Sequence, residues 1–293
     1  MGTCNFSKLL GASEKKDMAI LFVIFNPTFS KRIIMNYWYT RKNFENQNLP
    51  VFTIELVYEG RKPEIDDAVH VRSNSFMFHK ENLYRILETH IPKKYTKLAF
   101  LDCDLIFNDP EWYNLTSQKL DSFDAVQPFE YANWLDLSYV NVLMTRLPSA
   151  KLDHYNSTYH PGFAWCMKRS FYNEVGFFDF ALSGSGDTLS FIAWTKSEWK
   201  DNPSVPKALR KKFKEFCNLR KPKIDYVEKV FVNHLFHGGR SNRNYVERHK
   251  MLSEDNIDDL VYKNEDGVYE WKNEHKNGLF FSYFSNRKDD EVN

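Results

Sequence analysis

Three groups of residues in this chain have the types and spacing to do chemistry. The first is Leu101-Asp102-Cys103-Asp104, where two carboxylates follow the apolar run Lys97 to Leu101 and precede Leu105, Ile106 and Phe107. Burying an ionised carboxylate is costly unless it is paired or bound to a metal, so two of them leaving a core strand point to a hard divalent cation. Mn²⁺ or Mg²⁺ suits such oxygen ligands together with the phosphates of a nucleotide, and neutralises charge on a departing diphosphate. The plainer alternative is that Asp102 and Asp104 cap the turn that follows, a common place for aspartate.

The second group, His234, His237, Gly238, Gly239 and Arg240, follows the apolar, strand-like run Tyr226 to Val232. A regular strand would send the two histidines to opposite faces, so both reach one site only if the chain turns, as the glycines permit. Arg240, Arg243 and Arg248, with Tyr245, make a short cationic cluster suited to phosphate oxygens. Read alone, these histidines are more simply structural. The third group runs from His160-Pro161-Gly162-Phe163-Ala164-Trp165 to Ser183-Gly184-Ser185-Gly186-Asp187. Its small residues let a substrate approach the backbone and hold one carboxylate where a general base would meet a sugar hydroxyl. Equally, Asp187 could cap a helix over Thr188 to Trp194.

The elements that must position these groups alternate in the first half of the chain. Strands are expected at Met18 to Phe25, Val51 to Tyr58, Ala68 to Arg72 and Lys97 to Leu101, with helices at Lys31 to Glu45 and Lys80 to His90. Such alternation predicts a mostly parallel sheet covered on both faces, with ligands gathering at the carboxyl ends of the strands, where Asp102 lies. Beyond Asp109 the pattern breaks into short apolar pieces and loops, including the polar stretch Pro148 to Tyr159, as an acceptor half would. Lys207 to Lys223 reads as an amphipathic basic helix with Leu209, Phe213 and Phe216 on one face. It would dock by that face, or make peripheral contact with an anionic acceptor or membrane surface through residues 207–217. The tail from Asp289 is polar and expected to fray.

Composition narrows the classes. With 293 residues, 42% hydrophobic and 27% charged, the chain is an ordinary globular protein large enough to bury a core without disulfides or a structural metal. Any metal would be functional. The formal charge of +1 gives no field to attract a polyanion, so no nucleic-acid partner is expected. Cys4, Cys103, Cys166 and Cys217 lack zinc-site or stapled-scaffold spacing. No apolar run is long enough to span a bilayer and no signal peptide is recognisable, so the expected location is cytoplasmic. Sequons at Asn5, Asn114 and Asn156 then carry no weight. The start Met1-Gly2-Thr3-Cys4 has Phe6 where a myristoylation signal wants Ser or Thr.

In this order and spacing, the three groups resemble the nucleotide-sugar glycosyltransferases of the GT-A fold, and within them the family-2-like and galactosyltransferase-like group. The resemblance covers about Met18 to Leu252, and the tail from Tyr283 and Phe284 through Arg287 and Asp289 looks like the ends of some viral and bacterial members. It implies an α/β fold of GT-A, Rossmann-like type, with a mixed, mostly parallel central sheet flanked by helices. The domain would span 17–252, with a nucleotide-binding half over 17–109 and an acceptor half over 110–252, between extensions 1–16 and 253–293. The implied activity is transfer from a nucleotide-sugar, a UDP-sugar in the first instance, to a glycan hydroxyl.

Carried over residue by residue, the resemblance makes Asp104 a metal ligand and Asp102 a contact to the ribose, or to the metal through water. His234 or His237 would be the late ligand, and Asp187 the base of an inverting displacement. Asn26 and Arg32 in the loop after the first strand, with Arg72, Lys80, Gly162, Trp165 and Arg240, would lie near the donor. The chain departs from the family's frequent pair of acids, since Gly186 precedes Asp187 and Thr188 follows it. A retaining outcome, a non-catalytic sugar- or nucleotide-binding protein of this fold, and an aspartate-based phosphotransferase stay open as alternatives. For the last, Ile106 stands where Thr or Val is usual.

Overall fold

A run of apolar residues with no polar alternation belongs in the middle of a sheet covered on both faces. In the computed structural model, which describes residues 16–200, 202–253 and 256–291, β1 (Met18–Phe25) is that strand, buried along almost its whole length. It pairs in parallel with β2 (Val51–Tyr58) on one side and β4 (Lys97–Leu101) on the other. β3 (Val69–Ser73) continues the parallel sheet beyond β2. On the far side β9 (Ala164–Lys168) runs antiparallel between β4 and β6 (Ala125–Gln127), and β10 (Ile224–Tyr226) closes the edge. The seven strands lie in the order β10-β6-β9-β4-β1-β2-β3. This is the mixed, mostly parallel α/β sheet expected.

Helices α1 (Lys31–Asn46) and α2 (Lys80–Glu88) are the crossovers of the parallel half, and the short helices α3 (Trp112–Lys119) and α4 (Arg169–Glu174) follow β5 (Leu105–Phe107) and β9. Tyr37 and Phe44 of α1 pack against Phe22 of β1 on one face of the sheet, while Leu83, Tyr84 and Leu87 of α2 pack with Leu56 and Phe100 on the other. A third apolar cluster lies beyond the sheet. It joins α5 (Gly186–Trp194), α6 (Arg210–Cys217), the hairpin β12 (Val261–Lys263) and β13 (Tyr269–Trp271), and α7 (Glu274–Asn286). The described residues of β12, β13 and α7, beyond 252, are thus packed onto the rest of the molecule.

A second sheet carries the site. β5 (Leu105–Phe107) pairs antiparallel with β11 (Phe231–His234), which pairs in parallel with β7 (Tyr131–Leu135), and β8 (Val142–Arg146) forms the outer edge. Here the sequence reading needs correcting, because Tyr226 to Val232 is not one strand. β10 ends at Tyr226 in the large sheet, the chain turns through Lys229 at φ 63°, and β11 begins at Phe231 in the small one. The charged pair Glu228 and Lys229 marks the point where the chain leaves one sheet for the other.

Two further expectations are revised. The basic helix ends at Cys217, short of Pro222, whose ring disfavours helical backbone in the residue before it. Its face docks as expected, with Leu209 and Phe213 buried, while Lys212 pairs with Asp258 at 3.1 Å. The tail is ordered through the described residues: Asp289 is buried against Arg287 at 3.0 Å, and Asp290 accepts hydrogen bonds from Ser30 Oγ and the backbone N–H groups of Lys31 and Arg32. Asp290 so caps α1, an arrangement set by residues about 260 positions apart. No helix among the described residues is long and apolar enough to cross a membrane. Residues 1–15, with Cys4 and the Asn5 sequon, lie outside the described residues.

Candidate active site

β4 ends at Leu101 and β5 starts at Leu105, so Asp102 and Asp104 sit in the short turn that passes the chain from one sheet to the other. β11 lies beside β5 and brings His234 to the same place, with the Leu235 N–H donating to the Asp104 carbonyl at 2.8 Å. The turn at Gly238, with φ 80°, returns His237 to that side. A side chain at 238 would meet the backbone of Asp289 at 3.1 Å, so glycine is required for both its conformation and its close approach.

Three ligand atoms converge. Asp104 Oδ2 lies 2.9 Å from His237 Nε2 and 3.4 Å from His234 Nε2, and the two nitrogens are 3.2 Å apart. All three side chains are nearly sequestered, and Asp104 Oδ1 is buried with no hydrogen-bond partner. Burial pushes His234 down to about 3, so its imidazole is neutral, as a metal ligand must be. Burial alone would raise Asp104, but His234, His237 and Arg243 outweigh it and hold the carboxyl below the usual range. Phe163 stacks on His234, ring centroids 4.7 Å apart and 11° from parallel, fixing the imidazole plane. Arg243 Nη2 bonds His237 Nδ1 at 2.9 Å, and Asp289 Oδ1 stands 3.6 Å from that nitrogen. A buried carboxylate oxygen without a partner, beside two imidazole nitrogens aimed at its neighbour, fits a divalent ion.

Next to this triad is a hollow of about 240 Å³, counting space open to solvent, lined among others by Lys80, Glu81, Asp102, Gly162, Trp165 and Asp187. Lys80 opens α2 and reaches Asp102 at 3.1 Å, Asp187 at 3.7 Å and Glu81 at 4.0 Å. Burial would lower the ammonium, but these carboxylates hold it well above its ordinary value. Asp102 is raised by burial, against the pull of Lys80. For Asp187 burial is outweighed by Lys80 and His160, so its carboxyl is lowered and ionised at neutral pH. Asp187 is the second residue of α5, whose cap is Ser185 in the left-handed region at φ 66°. Its Oδ2 takes the space a side chain at Gly162 would fill, since a Cβ there would lie 2.3 Å away.

The other expected donor contacts are distributed differently. Asn26 is buried and bonded to Ser30 and Glu64, holding the loop after β1. Arg32 touches Tyr139 Oη at 3.5 Å across the mouth of that loop. Arg72 is exposed on the outermost strand, its N–H taken by Asp266, and no contact brings it to the triad. Trp165 is buried, donates to the Pro161 carbonyl at 2.7 Å and packs on Phe191 and Trp194, so it walls the hollow from within the core. The side chain of Arg240 lies outside the described residues.

Arg248, which the sequence groups with Arg240 and Arg243, is buried and braces the glycine loop, bonding Ser185 Oγ at 2.9 Å while His249 contacts the hydroxyls of both Ser183 and Ser185. Sequence reasoning missed Glu81 and Phe163. Glu81 looks like any first-turn helix acid, and Phe163, though it lies within the His160 to Trp165 motif, carries no sign in the sequence that it sits at φ 70° and stacks on His234.

No protein-family model matches the chain, and no curated protein does. Solved structures are similar at low identity. The catalytic domain of Drosophila β1,4-galactosyltransferase 7 in complex with xylobiose is 12% identical, TM-score 0.44, covering 90% of this chain and 98% of that one. A point mutant of that enzyme with manganese, UDP-Gal and xylobiose is 11% identical, TM-score 0.46, with the same coverage. A putative nucleotide-diphospho-sugar transferase from Desulfovibrio desulfuricans is 11% identical, TM-score 0.32, covering 75% and 82%.

Proposed function

We propose that the protein is a metal-dependent glycosyltransferase that moves a sugar from a nucleoside-diphosphate sugar, a UDP-sugar in the first instance, to a hydroxyl of a glycan acceptor with inversion. The observation that carries this is the convergence of Asp104, His234 and His237 on one point beside a hollow that holds Asp187. A divalent ion held there would supply positive charge to the diphosphate leaving group, and two imidazoles with one carboxylate suit Mn²⁺ better than Mg²⁺. Asp102, paired with Lys80 through one oxygen, faces the same space and would meet the donor's ribose or a water molecule with the other.

Asp187 does the proton work. Its carboxylate, ionised and fixed against Gly162, accepts the acceptor's proton as that oxygen bonds the anomeric carbon and the bond from that carbon to the diphosphate breaks. Lys80, shared by Asp102 and Asp187, keeps the two carboxylates from repelling each other across the hollow. The domain limits 17–252 are part of this reading, with the later residues supporting the site through Arg287 and Asp289. So is docking of the acceptor or a membrane surface at α6, whose outer lysines are exposed. A cytoplasmic location is likewise proposed.

The test is incubation with Mn²⁺ and a panel of sugar nucleotides, following thermal stabilisation and release of nucleoside diphosphate. Metal-dependent stabilisation with release of the diphosphate supports the reading. Binding without release in the presence of any acceptor would reduce the protein to a sugar-nucleotide binder, and a covalent aspartyl-phosphate would make it a phosphotransferase.

A further inference from the structure

Among the described residues lining the hollow, Lys80 is the one cation beside three carboxyl groups, Glu81, Asp102 and Asp187. Glu81, the second residue of α2, is only 4% exposed, yet its carboxylate shows no hydrogen bond to another residue among the described ones. Its nearest opposite charge, Lys80, is 4.0 Å away and already engaged by Asp102 and Asp187. Among the described residues its carboxyl finds only its own backbone N–H as a hydrogen-bond donor, and it lines a hollow where a sugar could offer further donors as hydroxyls.

The position of this carboxylate is specific. A Cβ built on Gly186 would lie 2.1 Å from Glu81 Cδ and 2.2 Å from its Oε1. The acid from α2 therefore occupies the place a side chain at 186 would take, immediately before Asp187. Gly186 is an ordinary first helical residue with no left-handed backbone, so its lack of a side chain is explained by this occupation rather than by conformation. Two carboxylates from different elements thus lie together on the wall of one hollow, Asp187 from α5 and Glu81 from α2. Burial, reinforced by Asp187 and opposed by Lys80, pushes Glu81 up to about 7.

We propose that Glu81 is a second acceptor-binding carboxylate: it holds the hydroxyl next to the one Asp187 deprotonates, so the acceptor is a sugar presenting two neighbouring free hydroxyls. This rests on the glycosyltransferase reading and adds to it the acceptor's chemical class and a residue that selects it. Paired carboxylates on adjacent hydroxyls would fix the attacking oxygen in both position and orientation, which a single carboxylate cannot do.

The test uses the full chain loaded with Mn²⁺ and uridine diphosphate. Methyl β-glycosides of xylose, glucose and galactose, with their 2-, 3- and 4-deoxy analogues, are titrated by calorimetry, and transfer from UDP-sugars is followed by mass spectrometry. Glu81→Ala is expected to weaken the best-bound glycoside about tenfold or more while leaving uridine diphosphate affinity unchanged. Deleting the neighbouring hydroxyl should weaken binding to wild type but not to the Glu81→Ala variant. The double variant Glu81→Ala with Gly186→Asp, which returns a carboxylate close to the same place from α5, should recover most of the loss, an outcome a merely structural role for Glu81 would not give. Equal deoxy penalties in wild type and Glu81→Ala, or no glycoside binding by wild type that does bind uridine diphosphate, overturn this inference and leave the transferase reading standing. If wild type neither binds uridine diphosphate with Mn²⁺ nor releases it from any sugar donor, both fall.

Discussion

His234 and His237 present the same ring nitrogen to each other at 3.2 Å, and both point that nitrogen at Asp104 Oδ2. A shared divalent cation would draw all three atoms into use as ligands. Substituting Asp104, His234 or His237 by alanine is expected to weaken Mn²⁺-dependent uridine diphosphate binding by about 10-fold or more, read by calorimetry. Affinity retained in all three variants would remove the metal site.

Asp187→Ala separates binding from chemistry. The variant should bind Mn²⁺ and uridine diphosphate as wild type does, while transfer falls by about 10² to 10⁴. Single-turnover assays with saturating donor distinguish this from a loss of affinity, and wild-type transfer would show that another group takes the proton.

Gly162→Ala probes the fit of that carboxylate. The new methyl would sit 2.3 Å from Asp187 Oδ2, so the acid must move from the place where it meets the acceptor. Transfer should drop by about 100-fold, with donor binding retained and thermal stability little changed. A variant as active as wild type would mean that Asp187 need not be held there.

Glu81 links the site to pH. Its carboxyl is raised in the folded chain to about 7, by burial first and then by Asp187, against the pull of Lys80. The protonated form is the one the fold prefers, so this group's contribution to stability is complete below the ordinary glutamate range and is lost as pH rises through about 7. The loss is on the order of 3 kcal/mol. Glu81→Gln should therefore be more stable than wild type at pH 8.5, and the gap should close towards pH 4.5 in urea melts of the metal-free protein. A gap that does not change with pH would contradict the assignment.

The parallel half of the fold was legible because buried strands and amphipathic helices leave periodic marks, and β1, β2, β4, α1 and α2 fall where those marks put them. Asp104 was legible as a carboxylate that wants a cation, whereas the two histidines read alone as structural and gained a ligand role only through the resemblance; the sheet change between Tyr226 and Phe231 is what brings the three together. Arg248 and Trp165 carry the lettering of ligand contacts but are committed to internal work, and sequence cannot distinguish a cation that waits for phosphate from one that braces a loop. Glu81 was invisible for the opposite reason: its meaning lies in a glycine 105 positions away.

Asp289 and Asp290 grip two different loops from adjacent positions, one at His237 and Arg287, the other at the amino end of α1. The stretch 287–290 therefore works as a clasp between the loop after β1 and the histidine turn. An insertion or a proteolytic nick within those four residues would disturb both loops at once, although it lies far along the sequence from β1.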